Sequence, residues 1–433
     1  MTFVSAMAGV LAGAIVAGAV GWALARFFTA GLYRTEKLAW SFATGLLVQA
    51  ILFVIFSFVF PAAGALPILV FDAAIFAASF LARRRFENGD RPLFSALVVG
   101  LLAIAGVAWL LFLVAALSEP MWATDYLAMW GLKGKTIFET GFVPPRLFQD
   151  PALYWAHREY PLLVPLSLAT LASFAGSWHD QALALFFPLC ELATLCALFG
   201  FLTRRISSPA GATAAALTAL CFPLYRAANA GTAEIPFAFS AVLVSTAFLD
   251  ALSRRSRGIL VRLAVASLFC VSIKQEGWIF VSLLAAALWM RRRWIPGLAL
   301  VAPAALHWSL LYLLRGPQTR RDFDFAFFQP RHWAELAPRF FQVLGRFGAE
   351  ALAAWLPLLA IMLYLAVTRR GFADPLLPVL AIQILCYAVA FSVSSFDPMY
   401  AVDGAFRRIA TTLFPALTIV LASRLEESRR PAS

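Results

Sequence analysis

Between Glu119 and Tyr160 the chain reads EPMWATDYLAMWGLKGKTIFETGFVPPRLFQDPALYWAHREY, a polar interruption in sequence that is otherwise strongly apolar. The segment gathers a carboxylate (Asp125), three aromatics (Trp122, Tyr126, Trp130) and two lysines (Lys133, Lys135). A carboxylate beside aromatic rings suits a general base acting on a hydroxyl or an amine. The same acid also reads as a solvated residue in the first turn of an interfacial helix, favoured by the helix dipole. Spacings of three and four put Trp122 and Met129 on the Asp125 face of such a helix. The aromatics fit sugar or lipid contact, and equally the belt that Trp and Tyr form at any membrane surface.

A second set of charged groups lies further along. Of the 35 basic residues only four are lysines, and Lys133, Lys135 and Lys274 fall in polar segments of interest. Lysine offers a compact, mobile charge suited to a phosphate oxygen, or it snorkels at a helix end. Glu234, in GTAEIPFAF, is a second carboxylate at a span start. Thr232 is placed to cap that helix, and Pro236 is tolerated in a first turn. Lys274 and Glu276, in SIKQEGW, sit between two short apolar segments. Ionisable residues near membrane depth are functional candidates, although these two also suit mutual neutralisation at a hairpin tip. Arg407 and Arg408 open the last apolar run, where the helix dipole disfavours cations. An anionic partner explains them, either a lipid-linked phosphate or Asp397 or Asp403. Arg226 and the run Arg315, Arg320, Arg321 with Asp322 and Asp324 are weaker cases of the same kind.

Other chemistries find little support. The histidines (His157, His179, His307, His332) form no HExxH or related ligand spacing, and there is no P-loop or GxSxG element. The five cysteines all lie in apolar runs without CxxC spacing, as small buried side chains do. No metal site and no cofactor is expected.

These residues need a frame. The chain is 62% hydrophobic and only 13% charged, with a mean hydropathy of +0.81. Soluble domains carry about 25% charged residues, and several apolar runs here reach the roughly 20 residues that span a bilayer. Unbroken runs specify helices, because lipid satisfies no backbone hydrogen bond, and the alternation of a β-barrel strand is missing. The expected fold is all-α, a polytopic transmembrane bundle. Spans are expected near 3–27, 39–60, 65–82, 93–117, 181–203, 209–226, 234–253, 258–273, 277–290, 295–314, 347–368, 376–394 and 408–425. That layout has thirteen spans, N-terminus out and C-terminus in. No cleavable signal pattern precedes the first run, which is taken as a true span.

The net charge of +12 points first to nucleic acid. Its distribution argues against that partner. Arginines cluster between apolar runs at 83–85, 204–205, 254–257, 291–293 and 369–370, the pattern of cytoplasmic loops under the positive-inside rule. In this layout the outer loops hold equal numbers of basic and acidic residues, so the positive excess belongs to the inner side. Tyr160–Trp178 is apolar but holds Pro161 and Pro165, and is expected as an interfacial or re-entrant helix on the outer face. The outer polar elements are then 118–160, 315–346 and 395–407. Gly9 and Gly13 form a small-xxx-small pair suited to helix packing.

In order and topology these pieces resemble the GT-C superfamily of integral membrane glycosyltransferases, in particular bacterial relatives of dolichyl-phosphate-mannose–protein mannosyltransferases and aminoarabinose transferases. The likeness covers roughly 93–425. It rests on the loop form D-Y-x-x-x-W-x-x-K-x-K-x-I-F-x-x-G from Asp125 to Gly141, on YPLLVPLSLATLASFAG, AEIPFAF and IKQEG, and on FRRIATTLFPAL. The resemblance implies a polyprenyl-phosphate sugar donor, inversion at the anomeric carbon, and a glycan, lipid or protein acceptor on the periplasmic face of the inner membrane. It implies Asp125 as the base, with Glu234 as a second carboxylate facing the same cavity. Lys274 and Arg407 or Arg408 would lie near the donor phosphate, and Lys133, Lys135, Glu276, Trp122, Tyr126 and Trp130 complete the expected substrate surface. The chain departs from the pattern in having three additional spans over 1–92 before the module at 93–433, glutamate at 234 where aspartate is common, and a single acid in the loop motif. A transporter or flippase of lipid-linked saccharides is the competing class. A surface-glycan polymerase or ligase using a diphosphate-linked donor is the third reading.

Overall fold

The computed structural model describes residues 2–59, 66–81, 95–150, 156–157, 160–221, 230–315, 325–349, 374–394, 397 and 402–427. Among these the chain is helical, with no strand. The helices begin where short polar side chains cap them. Thr2 accepts from the Ser5 amide to open α1 (Phe3–Ala25). Ser95 does the same for α4 (Ala96–Ser118), and Ser207 for α10 (Ser208–Ala219). Each hydroxyl satisfies an amide that has no partner inside its own helix.

Among the described residues, six helices are long and apolar enough to cross a membrane. They are α1, most of α2 (Arg34–Val59), α4, the run of α8 (Asp180–Leu183) into α9 (Phe186–Arg205), α11 (Glu234–Ser253) and most of α14 (Trp294–Arg315). Shorter apolar helices are α7 (Leu163–Ala175), α13 (Glu276–Met290), α16 (Leu376–Ser392) and a final stretch, Phe414–Ser423. α3 (Leu66–Leu81) and α12 (Arg257–Ile273) match expected spans in position but are also short. The expected span 209–226 is represented by α10, and its end lies outside the described residues. Of 347–368 only the start is described, at the end of a helix over 333–349 (α15).

α11 is the centre of the bundle, buried along nearly its whole length. It packs on α9, α12, α13 and the helix Phe414–Glu427. The N-terminal helices join this core, with α2 on α9 and α1 on α7. Close backbone approach makes the α1–α2 crossing possible. A Cβ on Gly21 would collide with the Ser41 carbonyl, and one on Gly45 with that of Ala17. The Gly9–Gly13 pair is also a packing surface, set against Ala175 and Phe174 of α7. α7 itself, expected as interfacial or re-entrant, is buried among α1, α2 and α5 (Gly131–Thr140).

Charged side chains collect at both ends of α11. Glu234 starts the helix and Asp250 lies sixteen residues on, about 24 Å away at 1.5 Å per residue. The two ends therefore belong to opposite faces of the bundle.

Candidate functional site

At the Glu234 end five charged residues from four separate segments form one chain of contacts. An Arg408 guanidinium nitrogen lies 2.7 Å from Asp125 Oδ2, and Arg408 Nε lies 3.2 Å from Glu234 Oε1. Lys274 Nζ reaches the same Glu234 oxygen at 3.2 Å and Glu276 Oε1 at 3.0 Å. Three acids and two bases alternate, leaving a net charge of −1. The arrangement is graded in depth. The side chains of Asp125 and Arg408 are 25% and 23% exposed, while Glu234 is 1% exposed. Asp125 and Arg408 form the mouth, and Glu234, Lys274 and Glu276 form the floor.

Local structure explains how each group arrives. Asp125 precedes a single π turn, Tyr126–Trp130, in which the Gly131 amide bonds back to the Tyr126 carbonyl. Such turns recur at functional positions because the extra residue re-aims side chains. The turn overturns the shared face expected for Trp122, Asp125 and Met129. Trp122 precedes the helix and is exposed, whereas Met129 is buried. Asp125 has helical dihedrals and makes no side-chain capping bond; its carboxylate pairs with Arg408. Glu234 stands on the first turn of α11. Thr232 does not cap that helix: Ala233 occupies the cap position without a side-chain bond. Lys274 ends α12 in extended backbone, and Glu276 opens α13, so the hairpin turn brings them together. Gln383 of α16 donates to the Glu276 carbonyl at 3.3 Å. Arg408 sits in the short helix Arg407–Thr411. Its partner is neither of the expected aspartates, and Asp403 instead accepts from Arg346 Nε of α15 at 2.7 Å.

Lys274 is held charged. Burial alone would lower its pKa, but the carboxylates of Glu234 and Glu276 outweigh burial and raise it above the ordinary 10.5. Its charge is satisfied inside the protein, as mutual neutralisation at a hairpin tip predicts, and the pairing extends to Glu234 as well.

The remaining expected contacts divide. Lys133 is fully buried and donates to the His157 carbonyl at 2.6 Å, a placement that does not fit the expected phosphate contact, because no part of the side chain is accessible. Lys135 is exposed and pairs at 3.9 Å with Glu139 one turn on, apart from the cluster. Tyr126 is buried, donates to Asp180 Oδ1, and lays its ring against Gly131 and Gly231, where any Cβ would collide. Trp130 is buried with its ring edge-on to Tyr160 at 5.4 Å. These two aromatics hold the segment in place rather than face a substrate. Trp122 is exposed, with its indole nitrogen donating to Glu119 at 2.8 Å. Arg407 belongs to the same short helix as Arg408. Of the weaker cases, Arg226, Arg320, Arg321, Asp322 and Asp324 lie outside the described residues.

Two features escaped sequence reasoning. Asp180 accepts from both Tyr126 and Trp178, the latter at 2.8 Å, and so anchors the Asp125 segment to α8. At the far end of α11, Arg204 makes a two-pronged contact with Glu36 at 2.8 and 3.0 Å and reaches Asp250 at 3.0 Å. Arg262 joins Asp250 at 2.7 Å. The available signal was Glu36 and Asp250 themselves, acids set among arginine-rich inner segments. Among the described residues no three His, Cys, Asp or Glu side chains are grouped to hold a metal ion. Comparison with protein-family models, with curated proteins and with solved structures gives no match for this chain.

Proposed function

We propose that this protein is a membrane glycosyltransferase that takes sugar from a polyprenyl-phosphate donor on the outer face of the inner membrane. The observation that carries the reading is the partly open pair of Asp125 and Arg408, a carboxylate and a guanidinium 2.7 Å apart at the mouth of a buried charged cluster. Asp125 accepts the proton of an acceptor hydroxyl as that oxygen attacks the anomeric carbon. The bond from the anomeric carbon to the phosphate oxygen breaks on the opposite side, with inversion. The polyprenyl phosphate leaves with the electron pair, and Arg408 stabilises its charge. Lys274 is enclosed by carboxylates, so in this scheme it acts on the donor only through Glu234, which orients Arg408. Long apolar helices beside the cluster suit the donor's lipid tail.

The test is transfer by purified protein in liposomes, with polyprenyl-monophosphate sugars supplied as donors. Asp125→Asn lowers kcat/KM by roughly 10²–10⁴-fold, the range for loss of a general base, with the protein still folded by circular dichroism. Wild-type transfer by that variant removes Asp125 from the mechanism. Movement of labelled lipid across the vesicle without product identifies a transporter instead.

A further inference from the structure

At the end of the bundle opposite Asp125, α11 gives way to α12 and α13 gives way to α14. Between the two junctions lies a cavity of about 430 Å³ lined by Arg254, Arg255, Ser256, Arg292, Arg293 and Trp294, with apolar residues behind. Among the described residues no carboxylate lies within ion-pair distance of Arg254, Arg255 or Arg292, although Arg204 and Arg262 at this end pair with Glu36 and Asp250. Arg293 is tied down by donating to the Leu252 carbonyl at 2.9 Å. Two helix N-termini, at Arg257 and Trp294, border the cavity and add their positive dipole ends to the arginines.

The backbone at Arg292 points the same way. The Arg292 amide bonds to the Trp289 carbonyl and the Arg293 amide to that of Leu288, which is the Schellman pattern that closes a helix. That pattern puts Arg292 in the left-handed region, at φ +56. Glycine is the favoured residue there, and a side chain is disfavoured. The chain retains a cation on the cavity rim where backbone conformation asks for none. Beyond the rim the surface becomes apolar and exposed, through Met290, Trp294, Ile295 and Leu298.

We propose that this cavity binds the phosphate of an anionic phospholipid from the leaflet opposite the Asp125 cluster, with the acyl chains along α14. A charged rim meeting an apolar exposed wall matches a phosphate headgroup joined to hydrocarbon. Basic pockets between transmembrane helices at the arginine-rich side take such headgroups. The site is independent of the transfer reaction proposed above.

Native mass spectrometry of the full chain, released from non-ionic detergent with phosphatidylglycerol or phosphatidylcholine added, tests this directly. Wild type retains phosphatidylglycerol over phosphatidylcholine, and inorganic phosphate at millimolar concentration does not displace it. Arg254→Gln with Arg292→Gln lowers retention about thirtyfold, as expected for two cations near a lipid headgroup. Arg34→Gln with Arg331→Gln, on exposed arginines of other segments that do not line the cavity, changes it less than about twofold, because exposed charges away from the headgroup are screened. Equal loss in both double variants overturns the proposal in favour of diffuse surface charge. Equal retention of both lipids by wild type overturns it in favour of apolar contact alone. Displacement by inorganic phosphate assigns the cavity to a free anion. The wild-type comparisons need no variant to fold.

Discussion

Replacing Lys274 with methionine is the most direct probe of the charged cluster. The substitution keeps the hydrocarbon stem and removes the ammonium, so little volume is lost. Lys274 lies 3.2 Å from Glu234 and 3.0 Å from Glu276. At an effective dielectric of about 20, each contact is worth roughly 5 kcal/mol of gross attraction. Desolvation of the buried ions offsets most of that in the intact protein. Once the lysine is gone the two carboxylates remain with less compensation, and the expected loss of stability is about 3–5 kcal/mol. Arg408 still faces Glu234, which favours the lower end of that range. Converting Glu234 and Glu276 to glutamine in the same protein removes the stranded charges and returns at least about 2 kcal/mol, the coupling expected of groups in one network. Unfolding in mixed micelles with increasing sodium dodecyl sulfate, followed by tryptophan emission, measures all three proteins. A Lys274→Met variant within about 0.5 kcal/mol of wild type, the usual range for an unengaged surface position, refutes the buried network. So does a triple variant no more stable than the single one.

The same variant carries a pH signature. A lysine whose folded pKa is raised above its ordinary 10.5 contributes stability fully below that value and loses it as pH rises through the folded pKa. The gap between wild type and Lys274→Met is therefore constant from about pH 6 to 9 and narrows only above about 10.5, in pH-dependent unfolding titrations. Gly21→Ala destabilises by about 1–3 kcal/mol in the same titration because its Cβ meets the Ser41 carbonyl. Gly18→Ala, with open space around it, is neutral or slightly stabilising. For topology, a cysteine at Thr140 reacts with a membrane-impermeant maleimide in intact cells and one at Ser256 does so only after permeabilisation; the reverse result inverts the assignment of faces.

The helices at Phe3–Ala25, Ala96–Ser118, Glu234–Ser253 and Trp294–Leu313 fall within a few residues of their expected positions. Length and hydropathy are properties of a segment alone, and backbone satisfaction in lipid leaves no other conformation. The cluster residues were visible by type for a related reason, since Asp125, Glu234, Lys274, Glu276 and Arg408 are charges where an apolar chain carries few. Their pairing was not visible. Arg408 meets a carboxylate 283 positions earlier in the chain rather than the nearby Asp403, and only the packing of the last helix against the core determines that. Lys133 shows the opposite failure, since a lysine in a polar loop gives no hint that its side chain will be buried and donate to the His157 carbonyl. The π turn after Asp125 was equally hidden, because one extra residue per turn leaves no periodic trace in a five-residue segment.

The charged ends of α11 have a mechanical consequence. Glu234 is engaged by Lys274 and Arg408 at one end, and Asp250 by Arg204 and Arg262 at the other. A slide of one turn, about 5.4 Å, would break both sets at once, so the helix works as a fixed strut that sets the spacing between the two faces. Under the function proposed above, a bulky donor would have to be accommodated at the rim, between the Asp125 segment and the short helix of Arg408, rather than by a shift of that strut. The Asp125–Arg408 contact spans that boundary, so in that scheme it would act as a latch.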